Sequence, residues 1–226
     1  MTFFLEYTLE TSNYLINYND GFVNKNNLFR APNINIVDFN KKVSYKTELY
    51  DYISYIPNFN IIKLHGGLNW RVRKNSEIIF ENPLKILDDL KNVENLPVKK
   101  IKNVLDNIGI VLPNYNKFEK TVLTEIYFNF LRYFSTNLLI TNSILFTFGF
   151  SFNDNHIKNL VKTALISNPT LHLIISIYNS EELNNFEREF EPYPNVSFIF
   201  DSSNNLDLAR LNEYLSKIFK GLENDK

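Results

Sequence analysis

The chain has 226 residues, 44% of them hydrophobic, enough to bury the core of one large α/β domain. Its 24 basic and 25 acidic residues leave a formal net charge of −1, which excludes an overall electrostatic footprint for nucleic acid or an anionic membrane surface. Cys is absent, so disulfides, thiolate chemistry and a cysteine-ligated zinc module are excluded as well.

In chain order, residues 2–10 carry Phe3, Leu5 and Leu9 among polar positions and predict a short helix, followed by Asn19-Asp20-Gly21-Phe22 as a turn signal. The first residues lack the basic, apolar and small-residue order of a secretory signal. No apolar run reaches the ~18 residues of a membrane helix, so the expectation is a cytoplasmic protein with no membrane partner and no direct nucleic-acid partner. Ile61-Ile62 predict a strand over 60–64 that ends in the turn His65-Gly66-Gly67, with Trp70 and Val72 continuing as a second strand. From 84 to 107 the text is charged and helix-prone, with Pro97 dividing two helices, and Gly109 and Pro113 then bracket the short apolar run 110–112. A long amphipathic helix is predicted over 121–139, where Leu123, Ile126, Phe130, Leu131, Phe134 and Leu138 recur at helical spacing. Residues 84–140 are thus expected to be a helical insert.

The last third alternates. Apolar runs at 144–148, 171–177 and 196–200 read as buried strands, separated by helical segments at 153–166 and 181–189 and followed by a final helix over 206–219. That alternation predicts βαβ units. The expected fold is a single domain over 1–226, α/β and Rossmann-like, a three-layer α/β/α parallel sheet with a helical insert. The strands at 60–64 and 144–148 are expected in one sheet, with His65 and Ser151 opening onto the same edge.

Ligands of open parallel sheets bind beyond the carboxyl ends of the strands, where two motifs fall. One is Lys63-Leu64-His65-Gly66-Gly67-Leu68-Asn69-Trp70; the other is Phe148-Gly149-Phe150-Ser151-Phe152-Asn153-Asp154-Asn155-His156-Ile157. Each has a structural reading beside the functional one. A His after a strand is often simply hydrogen-bonded, Ser151 to Asp154 form a capping-box pattern at a helix start, and Trp70 and Phe152 suit packing. His156 and His172 read as structural, and Lys99-Lys100-Ile101-Lys102 as a solvated helix face.

The two motifs in this order resemble the sirtuin-like domains of bacterial anti-phage NAD hydrolases. Tyr18-Asn19-Asp20-Gly21-Phe22, and Pro113 followed by Lys117 and a helix with Tyr127 and Phe134, fit the same order, extending the resemblance from about Phe3 to Phe200. It implies NAD as substrate or ligand, no metal, and cleavage between nicotinamide and ribose. His65 matches the catalytic histidine; an imidazole, with an ordinary pKa near ~6.5, accepts a proton from a ribose hydroxyl or water at neutral pH. Gly66, Gly149, Phe150, Ser151 and Asp154 match cofactor-binding positions, with Gly149 and Ser151 near the ribose.

The family's glycine-rich phosphate turn and its Thr-Asn-Tyr-Asp segment have no counterpart here; Thr11-Ser12-Asn13-Tyr14 imitates the latter but lies too close to Asn19. The expectation is therefore a domain incomplete at its N-terminus, poor as an enzyme alone, since that turn holds a dinucleotide's phosphates. The implied partners are an N-terminal-half partner chain or a homo-oligomer, and a phage protein as trigger. A non-catalytic sensor of NAD or a nucleotide derivative, or an assembly module, is the rival reading. Protein deacylation is a weaker one, because the deacetylase zinc module needs four cysteines.

Overall fold

The computed structural model describes residues 8, 16–20, 39, 44–47, 50–72, 78–80, 97–99, 102, 108–110 and 125–224. The chain divides into two compact units, Met1–Tyr133 and Phe134–Lys226.

The first unit holds short strands: β1 (Asn17–Asn19), β2 (Ser44–Thr47), β3 (Tyr50–Tyr55), β4 (Asn58–Asn60), β5 (Gly66–Val72), β6 (Ile78–Phe80) and β7 (Ile108–Ile110). β1 and β4 pair in parallel, β2 and β3 antiparallel, and β5 lies between β6 and β7, antiparallel to both. The strand expected over 60–64 instead closes at Asn60. The physical reason is a turn: Gly66 N donates to the Lys63 carbonyl at 2.9 Å, taking backbone groups that a longer strand would have given to a ladder. Asn19, expected in a turn, belongs to β1, and β7 at Ile108–Ile110 overlaps the start of the apolar run 110–112. Among the described residues β4 pairs with β1, and residues 144–147 pair with β9. Of the helix expected at 2–10 only Thr8, which is helical, is described, and most of the insert's first helices at 84–107 lie outside the described residues.

Helix α1 (Glu125–Leu138) forms where its apolar spacing placed it, and the unit boundary falls within it. Its buried Tyr127 and Phe130 join Phe39 and Trp70 in the first unit's core, with Ile62, Leu64, Ile126 and Tyr133 packed alongside. Trp70 and Tyr127 stack with centroids 6.4 Å apart, so Trp70 is a packing residue. Burial pushes the Tyr127 phenol up to about 12, since a phenolate loses its hydration there.

The second unit follows the alternation read from the sequence: β8 (Ile144–Thr147), α2 (Asn155–Ser167), β9 (His172–Ser176), α3 (Ser180–Phe190), β10 (Val196–Ile199) and α4 (Leu208–Asn224). The strands form a parallel sheet in the order β10, β9, β8. Leu173 and Ile175 of the central strand are wholly buried, and α2 contributes Ile157, Val161, Ala164 and Leu165 to the core, each Val, Leu or Ile side chain removed from water stabilising by about 1.5–3 kcal/mol before entropy is counted. Asn168 fastens the ends of this layer: its amide donates to the carbonyls of Leu138 at 2.8 Å and Ile140 at 2.9 Å, while its Oδ1 accepts from the Thr170 hydroxyl at 2.7 Å. His156 lies exposed on α2, and Nε2 of His172 on β9 is 2.9 Å from the Ser197 hydroxyl. The chain is thus mixed α/β, with parallel sheets and four helices among the described residues.

Candidate nucleotide-binding site

β8 stops at Thr147 and the chain reverses through Gly149, whose φ of +63° is a left-handed conformation that a side chain would strain. A Cβ there would meet nothing within 4 Å, so the backbone of this turn faces open space. Phe152 also has a positive φ, +56°, unusual for a bulky residue. It is held there by packing: its ring is 2% exposed and lies 4.8 Å from Phe150 and 5.0 Å from Phe190 in edge-on contacts. The twist sets up the start of α2, whose cap is Asp154: its carboxylate accepts from the N–H groups of His156 and Ile157. The capping pattern expected to begin at Ser151 therefore begins three residues later, because Phe152 turns the chain before helical geometry starts. Ser151 itself is exposed.

Beyond the carboxyl ends of β8 and β9 lies a cleft of about 670 Å³, a size suited to a small-molecule ligand. Gly149, Phe150, Ser151 and Asn153 line it from the turn, and Ser176 and Tyr178 from the end of β9. Ser176 Oγ donates to the Thr147 carbonyl at 2.8 Å, tying the two strand ends together beneath it. Helix α3 supplies a wall through Glu182, Asn185, Phe186 and Glu189, a spacing that places all four on one helical stripe. α3 is set in place by Asn179, whose side chain accepts from Glu182 N at 3.0 Å. Leu206, Asp207 and Leu208 close the rim, fixed by Leu206 N donating to the Tyr178 carbonyl at 2.8 Å.

Of the expected binding residues, Gly149, Phe150 and Ser151 line this cleft, whereas Asp154 is spent on the helix cap. The walls from Tyr178, α3 and Leu206 to Leu208 were not anticipated. The carboxyl end of the apolar run 171–177 was the signal that pointed to them, since a parallel strand delivers the residues that follow it to the ligand edge.

The cleft is acidic on one side. Lys162 donates to Glu189 at 2.6 Å, and this bond, with Lys158 at 3.4 Å, holds the Glu189 carboxyl below the usual carboxylate range. An aromatic edge, hydroxyls, amides and carboxylates together suit a planar heterocycle bearing a hydroxylated sugar.

In the first unit, His65 is half-buried in the turn that precedes β5. Gly66, at φ +80°, starts the strand, and a Cβ there would collide with the Gly109 carbonyl oxygen. Its lack of a side chain is thus required by the approach of β7.

The sequence matches the SIR2-like domain over residues 33–199. The chain belongs to the SIR2-like domain family. SIR2-like domains bind NAD, so the chain's function is NAD-related. The match includes both His65 and the cleft turn, while the stretch at Tyr18 to Phe22 falls outside it. Among curated proteins, none matches the chain's sequence. Among the described residues of this SIR2-like chain, no group of three or more His, Asp or Glu side chains is arranged to hold a metal ion, and no helix is long and apolar enough to cross a membrane.

Proposed function

We propose that this SIR2-like domain cleaves NAD to nicotinamide and ADP-ribose, the reaction of the anti-phage NAD hydrolases its motifs resemble. The observation that carries the reading is the cleft at the carboxyl ends of β8 and β9, entered by the Gly149 turn, within a chain of an NAD-binding family. In this reading the cleft takes the adenosine side of NAD. Ser151 and the backbone of its turn bind sugar oxygens, and Phe150 and Phe186 offer aromatic surface to the base. His65 is the general base: it accepts a proton from a ribose hydroxyl or from water as the nicotinamide bond breaks, water adds to the ribose carbon, and nicotinamide leaves with the bonding electron pair. The domain acts as one SIR2-like domain over 1–226, in the cytoplasm, with a partner chain or a second copy of itself as its partner.

Nicotinamide release from NAD by the chain, alone and with the polypeptide encoded immediately upstream, tests this reading. Release that depends on His65 supports hydrolysis; release only in the presence of an acylated peptide returns the deacylase reading. A second reading, a sensor that binds nucleotide without cleaving it, is favoured by one observation: the described walls of the cleft contain no histidine. Binding of NAD with no nicotinamide released under either condition decides for the sensor.

A further inference from the structure

We infer that the Tyr127 hydroxyl holds the water that adds to the ribose carbon, which makes it a second catalytic residue beside His65. The inference rests on the reading of His65 as the general base of NAD hydrolysis.

Tyr127 sits in the core of the first unit, 5% exposed, beside Phe39 and Phe130, which fill the same core without a hydroxyl. Its ring is fixed by stacking on the buried Trp70, with centroids 6.4 Å apart and planes 17° from parallel. Trp70 is pressed in turn against β7, since a Cβ on Gly109 would lie 2.8 Å from Trp70 Cβ. This stack carries the phenol to the turn of the proposed base: a Cβ on Gly66, the residue after His65, would lie 3.0 Å from the Tyr127 hydroxyl.

Among the described residues this hydroxyl forms no hydrogen bond, and burial is the cause that pushes it up to about 12. A buried donor without a partner disfavours folding, and a phenylalanine would fill the same space without that penalty. The fold gains nothing from the hydroxyl, and a buried polar group left over by the fold commonly meets a bound molecule. With so little exposed surface that molecule must be small, and water is both the usual buried guest and the co-substrate of the proposed reaction.

The phenol keeps its proton throughout the range in which the His65 imidazole is neutral, so the two groups divide the work. Tyr127 donates a hydrogen bond to the water oxygen and fixes its place. The water gives one proton to the imidazole, its oxygen bonds the ribose carbon, and nicotinamide leaves with the electron pair of the broken bond. Tyr127 itself is unchanged at the end.

The test follows the full chain, wild type and Tyr127→Phe, under the condition that gives nicotinamide release from NAD, in buffer with and without methanol. Methanol competes with water for the ribose carbon, and the two products, ADP-ribose and its methyl glycoside, are separated by chromatography. Tyr127→Phe is expected to slow hydrolysis by about tenfold at unchanged KM and to raise the ratio of methyl glycoside to ADP-ribose several-fold. Because both products form in the same sample, that ratio is independent of how much of the variant is folded. The urea midpoint of Tyr127→Phe is expected to equal or exceed that of wild type, since an unpaired buried donor is removed. An unchanged product ratio overturns the inference and leaves the hydrolase reading standing. A lowered urea midpoint does the same, by showing that the fold uses the hydroxyl. Absence of nicotinamide release from the wild type overturns the hydrolase reading and the inference with it.

Discussion

The Gly109 carbonyl oxygen occupies the space a Cβ on Gly66 would need. β5 and β7 are antiparallel neighbours here, and Gly66 also holds a left-handed φ of +80°, so two independent constraints exclude a side chain at the residue after His65.

Gly66→Ala should destabilise the chain by about 2–4 kcal/mol, the sum of backbone strain of about 1 kcal/mol and steric overlap of about 1–3 kcal/mol. Gly149→Ala shares the strain but meets nothing within 4 Å, so its cost should stay near ~1 kcal/mol. Urea unfolding of the two variants measures the contrast, and equal costs would refute the steric argument.

Asp154 and Ser151 separate stability from binding. Asp154→Ala removes the cap of α2 and should cost about 1 kcal/mol of stability. Ser151→Ala, at an exposed position, should leave the melting temperature within a degree or two but weaken ADP-ribose binding, because its proposed contact is with the sugar. Thermal melts paired with titrations read both effects.

His65→Ala should lower nicotinamide release by about 10²- to 10⁴-fold while NAD binding changes little. A protein that no longer folds would identify His65 as structural instead.

The Lys158, Lys162 and Glu189 group gives a pH signature. The Glu189 carboxyl is held below its ordinary 4.5, chiefly by its bond from Lys162, so the folded state binds this proton less readily than the unfolded chain. Its contribution is present above pH 4.5 and is lost as the pH falls through the lower, folded value. Because the side chain remains about one-third exposed, the effect is small. Glu189→Gln should therefore flatten the acid limb of the stability profile and leave the curve above pH 6 parallel to wild type, as chemical denaturation at stepped pH will show.

The second unit could be read from the sequence nearly element by element. Its central strand, His172–Ser176, carries Leu173-Ile174-Ile175 within the mostly apolar run 171–177, and helices α2 and α3 lie within about two residues of the segments expected at 153–166 and 181–189. Parallel strands of βαβ units, with a helix after each apolar run, leave that signature. The first unit could not be read so well. β2 and β3, at Ser44–Thr47 and Tyr50–Tyr55, mix tyrosines with Lys46 and Asp51 and give neither an unbroken apolar run nor a helical period. Ile61 and Ile62 looked like strand, but they lie between β4 and a turn, where Ile61 is buried and Ile62 packs against the core. The Gly149 turn was visible as a motif, whereas the α3 wall was not: Glu182, Asn185, Phe186 and Glu189 share a stripe that looks, in sequence, like any half-solvated helix face.

Every described wall of the cleft lies between Phe148 and Leu208, in one uninterrupted stretch of chain, whereas His65 is encoded far upstream. Gene fission, fusion or exchange upstream of Phe148 would leave the coding sequence of the pocket untouched. Under the proposed division of labour, capture of a nucleotide and its destruction are therefore separately heritable. A lineage can discard the chemistry by changing the upstream segment alone and retain a receptor for the same molecule.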